Sequence, residues 1–85
     1  MKRASLLKNF GRLISKQRKL SGISQEELAH RADLDRTYVS GLERGIRNPS
    51  LTVLAKLAIG LNVSLSQMLR GLRPENKSAR SSEDV

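Results

Sequence analysis

The stretch DLDRTYVSGLERG, Asp33 to Gly45, decides the fold. Leu34, Val39 and Leu42 fall at helical spacing, so one side of this segment is patterned for burial. The other side carries Arg36, Thr37, Tyr38, Ser40 and Gly41, groups that hydrogen-bond, pack flat or occupy almost no volume. A helix this short is marginal by itself. Its outward residues are therefore expected to meet something outside the domain.

Signals on either side give the neighbouring elements. Asp35 suits the N-cap of a third helix that ends near Arg44, and Gly45 suits the left-handed position beyond it. Upstream, Ser24 followed by Glu27 spells a capping box, which opens a second helix at Gln25 and carries it through Leu28, Ala29 and Ala32. Asp33 and Leu34 make the tight connection between the two. Earlier still, Phe10, Ile14 and Gln17/Arg18 share one side of a helix from about Ser5 to Leu20, with Leu6, Leu7 and Leu13 nearby, and Gly22 ends it. Downstream, Asn48, Pro49 and Ser50 form a loop. Ser50 then caps a fourth helix in which Leu51, Leu54, Leu57, Ala58 and Leu61 repeat at helical spacing. Asn62 can take the left-handed conformation that stops it. Ser64 with Gln67 is a second capping box and opens a last helix through Leu65, Met68 and Leu69.

No strand or repeat signal appears. The expectation is an all-α domain of five short helices over residues 1–72, followed by a disordered polar tail at 73–85, RPENKSARSSEDV, which has little to bury. A chain of 85 residues has room for one small domain with a marginal core, so oligomerisation is an expected source of added stability. There is no cysteine to form a disulfide or a thiolate metal site. No apolar run approaches the roughly 20 residues of a membrane span, and the Met-Lys-Arg start lacks the apolar stretch of a signal peptide. A soluble, cytoplasmic protein with no membrane association and no cofactor is expected.

The net charge of +8 points to a polyanion, with nucleic acid ahead of an anionic membrane. Residues 1–24 hold Lys2, Arg3, Lys8, Arg12, Lys16, Arg18 and Lys19 and no acid. Between Gln25 and Leu72 the signs nearly balance, so the third helix is not a plain basic stripe. A stripe gives affinity without sequence preference, whereas mixed polar groups on one helix suit discrimination between base edges.

The second and third helices are joined by a turn of three or four residues, the spacing of a helix-turn-helix at about residues 25–44. Here GISQEELAHRADLDRTYVSGLERGIRNPSL, Gly22 to Leu51, resembles the phage-repressor and Cro-like helix-turn-helix family, often called XRE, with Gln25, Ala29, Val39 and Leu42 at its motif positions. The likeness extends over about Phe10 to Gly71. Within the family, LDRTYVSGLERGIRN is most similar to the controller proteins of restriction–modification systems. The resemblance implies a lambda-repressor-like five-helix DNA-binding domain acting as a transcription regulator, repressor or activator. It also implies that Arg18 and Glu43 form the pair that ties helix one to the end of helix three. The turn position held here by Asp33 is glycine in many members. Aspartate tolerates a left-handed backbone better than most residues, so the departure is expected to strain the turn only mildly.

The N-terminal part of a recognition helix lies deepest in the major groove, so Arg36, Thr37, Tyr38 and Ser40 are the candidate base readers. Arg36 leads, because its fork can donate two hydrogen bonds to guanine O6 and N7. Gly41 is expected to permit close approach of DNA or of a neighbouring helix. Phosphate contacts are expected from Gln25, at a helix N-terminus with free N–H groups, and from Arg44, Arg47 and Asn48 after the third helix. One helix reads too few bases to select a site, and this architecture solves that by forming a homodimer over an inverted repeat in double-stranded DNA. Ile59, Leu65, Met68 and Leu69 are the candidate dimer interface.

Other functional classes fit less well. His30 is the only histidine, reads as a surface residue, and has neither a cysteine nor a phosphate loop to work with, so no enzyme and no metal site is expected. The rival reading is a protein-binding module, such as an antitoxin whose tail folds on a toxin protein. RNA polymerase, touched through Glu26 and Glu27, is the other protein partner considered.

Overall fold

The computed structural model describes residues 3–72 and holds five helices: α1 (Arg3–Leu20), α2 (Gln25–Ala32), α3 (Arg36–Glu43), α4 (Leu51–Leu61) and α5 (Leu65–Leu69). The all-α expectation holds for these residues, and the tail at 73–85 lies outside them. Helix α1 begins at Arg3, two residues before the expected start at Ser5. Nothing in the preceding residues opposes helix, and Ser5 does not act as a cap.

Each later helix opens on a short polar side chain that accepts one of the unpaired N–H groups of its first turn. Ser24 accepts from Glu27 N–H, Asp35 from Thr37 N–H, Ser50 from Val53 N–H and Ser64 from Gln67 N–H. The box at Ser64 is complete, because Gln67 Oε1 accepts from the Ser64 N–H at 2.8 Å. The expected box at Ser24 is only half formed: the Glu27 carboxylate instead accepts from Arg31 Nε at 2.7 Å, one helical turn away. A charged donor four residues on competes successfully with a neutral backbone donor.

The stops are equally local. Asp33 and Asn62 take the left-handed conformation, with φ of 56° and 60°. Gly45, at φ 80°, closes α3 in a double bond pattern: its N–H donates to Leu42 O, and Ile46 N–H donates to Gly41 O.

The core collects Phe10 and Ile14 from α1, Leu28 and Ala29 from α2, Val39 and Leu42 from α3, Leu57, Ala58 and Leu61 from α4, and Met68 from α5. Helix α2 packs on α3 and α4, and α1 packs on α3 and α5. Two crossings are close enough to exclude a side chain. A Cβ at Gly11 of α1 would lie 2.5 Å from the carbonyl oxygens of both Leu42 and Glu43, at the end of α3. One at Gly60 of α4 would lie 2.9 Å from Leu28 Cδ1. The end of α3 is thus pressed directly against α1.

Gly11→Ala tests that crossing. Alanine favours helix over glycine by about 1 kcal/mol, yet the added carbon meets backbone oxygen that cannot rotate away. The variant is expected to lose about 1–3 kcal/mol in urea unfolding. A variant as stable as the parent would mean that α1 rises freely off α3.

Candidate nucleic-acid interface

Helix α3 divides into three faces. Val39 and Leu42 are fully buried and set its rotation. Arg36, Thr37 and Arg44 are exposed and Ser40 is half-buried, and at 100° per residue these four share the side turned away from the core. The Arg36 and Arg44 side chains make no hydrogen bond or ion pair among the described residues, so their guanidinium donors are left to solvent. The third face is the flank. Tyr38, two positions beyond Arg36, is rotated about 200° from it, half-buried and packed on the core.

Gly41 departs from the expectation of an exposed position. It is buried, because the Arg47 side chain lies across it: a Cβ there would sit 2.9 Å from Arg47 Cγ. The guanidinium carbon of Arg47 then stands 5.5 Å from the centre of the Tyr38 ring. Arg47 and Asn48 are otherwise exposed in the loop after α3.

The buried end of α3 is held by a charged knot. Arg18 Nε donates to Glu43 Oε2 at 2.7 Å and Arg18 Nη2 to Glu43 Oε1 at 3.1 Å, a two-pronged pair with side chains only 11% and 6% exposed. Arg18 Nη1 also donates to Ile23 O at 2.9 Å, in the α1–α2 loop. Gln25 Nε2 donates to Glu43 Oε1 at 3.0 Å, so the first residue of α2 is tied to the last of α3. Gln25 therefore has a structural partner besides any ligand, and its remaining amide hydrogen and the free N–H groups of α2 are what it can offer to a phosphate. Burial pushes the Glu43 carboxyl up, but the hydrogen bonds from Arg18 and Gln25, the Arg18 charge and the Ser15 hydroxyl outweigh it, so the group titrates below its ordinary range. The same hydrogen bond raises Arg18 further, so the arginine is charged at every practical pH.

Around the knot the surface is basic. Arg12, Lys16 and Lys19 rim an open groove whose floor includes Ser15 and Glu43. The pair of Lys56 with Asp33 is exposed, 3.8 Å long, and worth little. His30 is exposed. Among the described residues no group of three or more histidine or acidic side chains could hold a metal, and no helix is long and apolar enough to cross a membrane.

The candidate dimer residues separate into two kinds. Ile59 is 72% exposed and Leu65 is partly exposed, so both present surface. Met68 is fully buried in the protomer core and Leu69 is half-buried against it. The Met68 assignment is thus corrected: its side chain fills the space under α1 and α4 and has no surface to give a partner.

A helix-turn-helix domain model matches residues 14–68, which contain both the knot and the outward face. The chain belongs to the XRE-type helix-turn-helix family. Its relatives include the control protein C.MunI of a Mycoplasma species, 43% identical over 67 residues, 78% of this chain and 90% of that protein. Among solved structures, the restriction-modification controller protein C.AhdI from Aeromonas hydrophila superposes with a TM-score of 0.71 at 43% identity, covering 76% of this chain and 97% of its own. The controller protein C.Esp1396I, solved as a tetramer on its natural 35 base-pair operator, superposes with a TM-score of 0.74 at 40% identity, over 79% and 88% of the two chains. The family resemblance drawn from Gly22–Leu51 is therefore established, and restriction–modification controller proteins are among its relatives. Gly11, Ser15 and the seat of Arg47 on Gly41 escaped the sequence reading. None has a local signature, because each depends on which element lies opposite.

Glu43→Gln removes the anion and strands the Arg18 charge, at an expected cost on the order of 3 kcal/mol at neutral pH. The carboxyl is depressed in the folded state, so its contribution is complete above its ordinary value of 4.5 and is lost as pH falls through the lower folded value. The stability gap between parent and variant should hold from pH 7 down to about 5 and narrow below 4.5. A gap independent of pH would contradict an ionised Glu43.

Proposed function

We propose that the protein is a sequence-specific regulator of transcription that binds an inverted-repeat operator in the major groove as a homodimer and serves as the controller of a restriction–modification system. The observation that carries this reading is the outward face of α3, where Arg36, Thr37, Ser40 and Arg44 stand together on the helix that the family lays into the groove. Its residue types are those of direct readout: a guanidinium for guanine, a hydroxyl with a methyl for thymine or an acceptor, and a small hydroxyl where space is limiting. The controller relative crystallised as a tetramer on its natural operator supports operator binding by this fold.

In this arrangement Arg36, Thr37 and Ser40 read base edges. Gln25 at the start of α2, with Arg44, Arg47 and Asn48 at the end of α3, grips phosphates on either side. The lysines and arginine of α1 add a long-range field that speeds encounter without requiring contact. Ile59 and Leu65 form the centre of a two-fold interface that sets the two α3 helices about 34–36 Å apart, one turn of DNA.

Two variants separate the roles, each titrated against a preferred duplex and its single base-pair changes. Arg36→Ala is expected to lose discrimination at one or two base pairs, about 1–3 kcal/mol each, while Arg47→Ala weakens all sequences about equally and lowers the salt slope by about one unit. Uniform weakening by Arg36→Ala would remove it from base reading.

The interface is tested by Ile59→Asp. Because this side chain is largely in solvent within one protomer, the fold should persist while sedimentation equilibrium shows monomer in place of dimer. A dimer undiminished by the change would place the contact elsewhere.

A further inference from the structure

Arg47 belongs to a loop and is exposed, two features that ordinarily leave a long side chain sampling many rotamers. Here three contacts constrain it. The loop backbone is fastened to α3 by Ile46 N–H on Gly41 O, at 3.0 Å. The aliphatic stem crosses Gly41 so closely that a Cβ there would lie 2.9 Å from Cγ and 3.2 Å from Nε. The guanidinium lies 5.5 Å from the ring centre of Tyr38, within the range of a cation–π contact. Tyr38 and Gly41 are three residues apart on α3, so they form one continuous patch along its flank. The ring itself is anchored, since Tyr38 packs on the core.

We infer that Gly41 and Tyr38 form a seat that fixes Arg47 in advance beside the recognition face, so that Gly41 is a positioning residue for DNA binding although it touches no DNA. This rests on the DNA-binding reading above and adds a device to it. A side chain already ordered in the free protein loses less freedom when it meets a phosphate. The seat also gives a physical reason for glycine in the interior of an eight-residue helix, where any other residue except proline would favour the helix more. Tyr38, turned to the flank, acts through Arg47.

The test is Gly41→Ala, alone and combined with Arg47→Ala, in the full chain. Alanine favours helix, and the atom it meets belongs to a side chain that can swing away, so the melting temperature should equal or exceed that of the parent. In the free protein, proton NMR of the parent should show Arg47 methylene signals moved upfield by the Tyr38 ring, and this shift should vanish in Gly41→Ala. Duplex affinity should fall about 3- to 10-fold, equally for all sequences, and Gly41→Ala should have no further effect once Arg47 is alanine. Unchanged affinity in Gly41→Ala, or a loss that persists in the Arg47→Ala background, would overturn the inference. So would a parent spectrum without the ring shift. If the parent itself bound no duplex specifically, the DNA-binding reading would fall and the use assigned to Arg47 with it, while the ring shift would still decide whether the seat exists.

Discussion

The ion pair between Arg18 and Glu43 is the constraint from which the rest of the molecule is arranged. Glu43 is the last residue of α3, and its carboxylate receives Arg18 from α1 and Gln25 from the first position of α2. Arg18 in turn holds the carbonyl of Ile23 between those helices. Three helices therefore meet at one carboxylate, and the α1–α2 loop is tied to the same arginine. Charges taken out of water regain little net stability by pairing, and apolar substitutes often serve a fold as well. What such a pair supplies is a single geometry, because two prongs with fixed directions tolerate no rotation of α3 about its axis. The bare backbone of Gly11 against the Leu42 and Glu43 carbonyls sets the distance, and the knot sets the angle.

With its end held from behind, α3 is free to use its other faces separately. The inner face is hydrocarbon, the outer face is polar with side chains unpaired among the described residues, and the flank serves Arg47. This division explains why so short a helix carries so few interchangeable residues. Val39 and Leu42 cannot be polar, Gly11 cannot be larger without pushing α1 off the backbone of α3, a larger Gly41 would displace Arg47, and Arg36 with Thr37 are spared any side-chain duty in the fold. A recognition helix requires such sparing, since a side chain engaged in the fold has fewer donors left for a base edge.

Most of the fold was legible in the sequence because its punctuation is local. Ser24, Asp35, Ser50 and Ser64 cap helices by bonds to residues two or three positions away, and Asp33, Gly45 and Asn62 stop them through their own backbone conformation. Where a local rule failed, a neighbour competed: Glu27 turned from the backbone of Ser24 to the charge of Arg31. The Arg18–Glu43 pair came from resemblance to the family, since 25 residues of separation carry no spacing signal. Met68 was misplaced because a helix of five residues is too short for periodicity to tell its inner side from its outer. Gly11 and Gly41 were opaque or half-read for a related reason. A glycine declares that room is scarce, but only the packed structure shows which atoms have taken it.

The account stands on the claim that α3 is presented, in pairs, to the major groove of specific DNA. Selection of bound duplexes from a random pool tests this most directly. The predicted result is an inverted repeat whose half-sites lie about one helical turn apart, the separation of two α3 helices across a two-fold axis. A pool with no enriched sequence, and binding that disappears at moderate salt, would leave only the basic charge of the chain and contradict the claim.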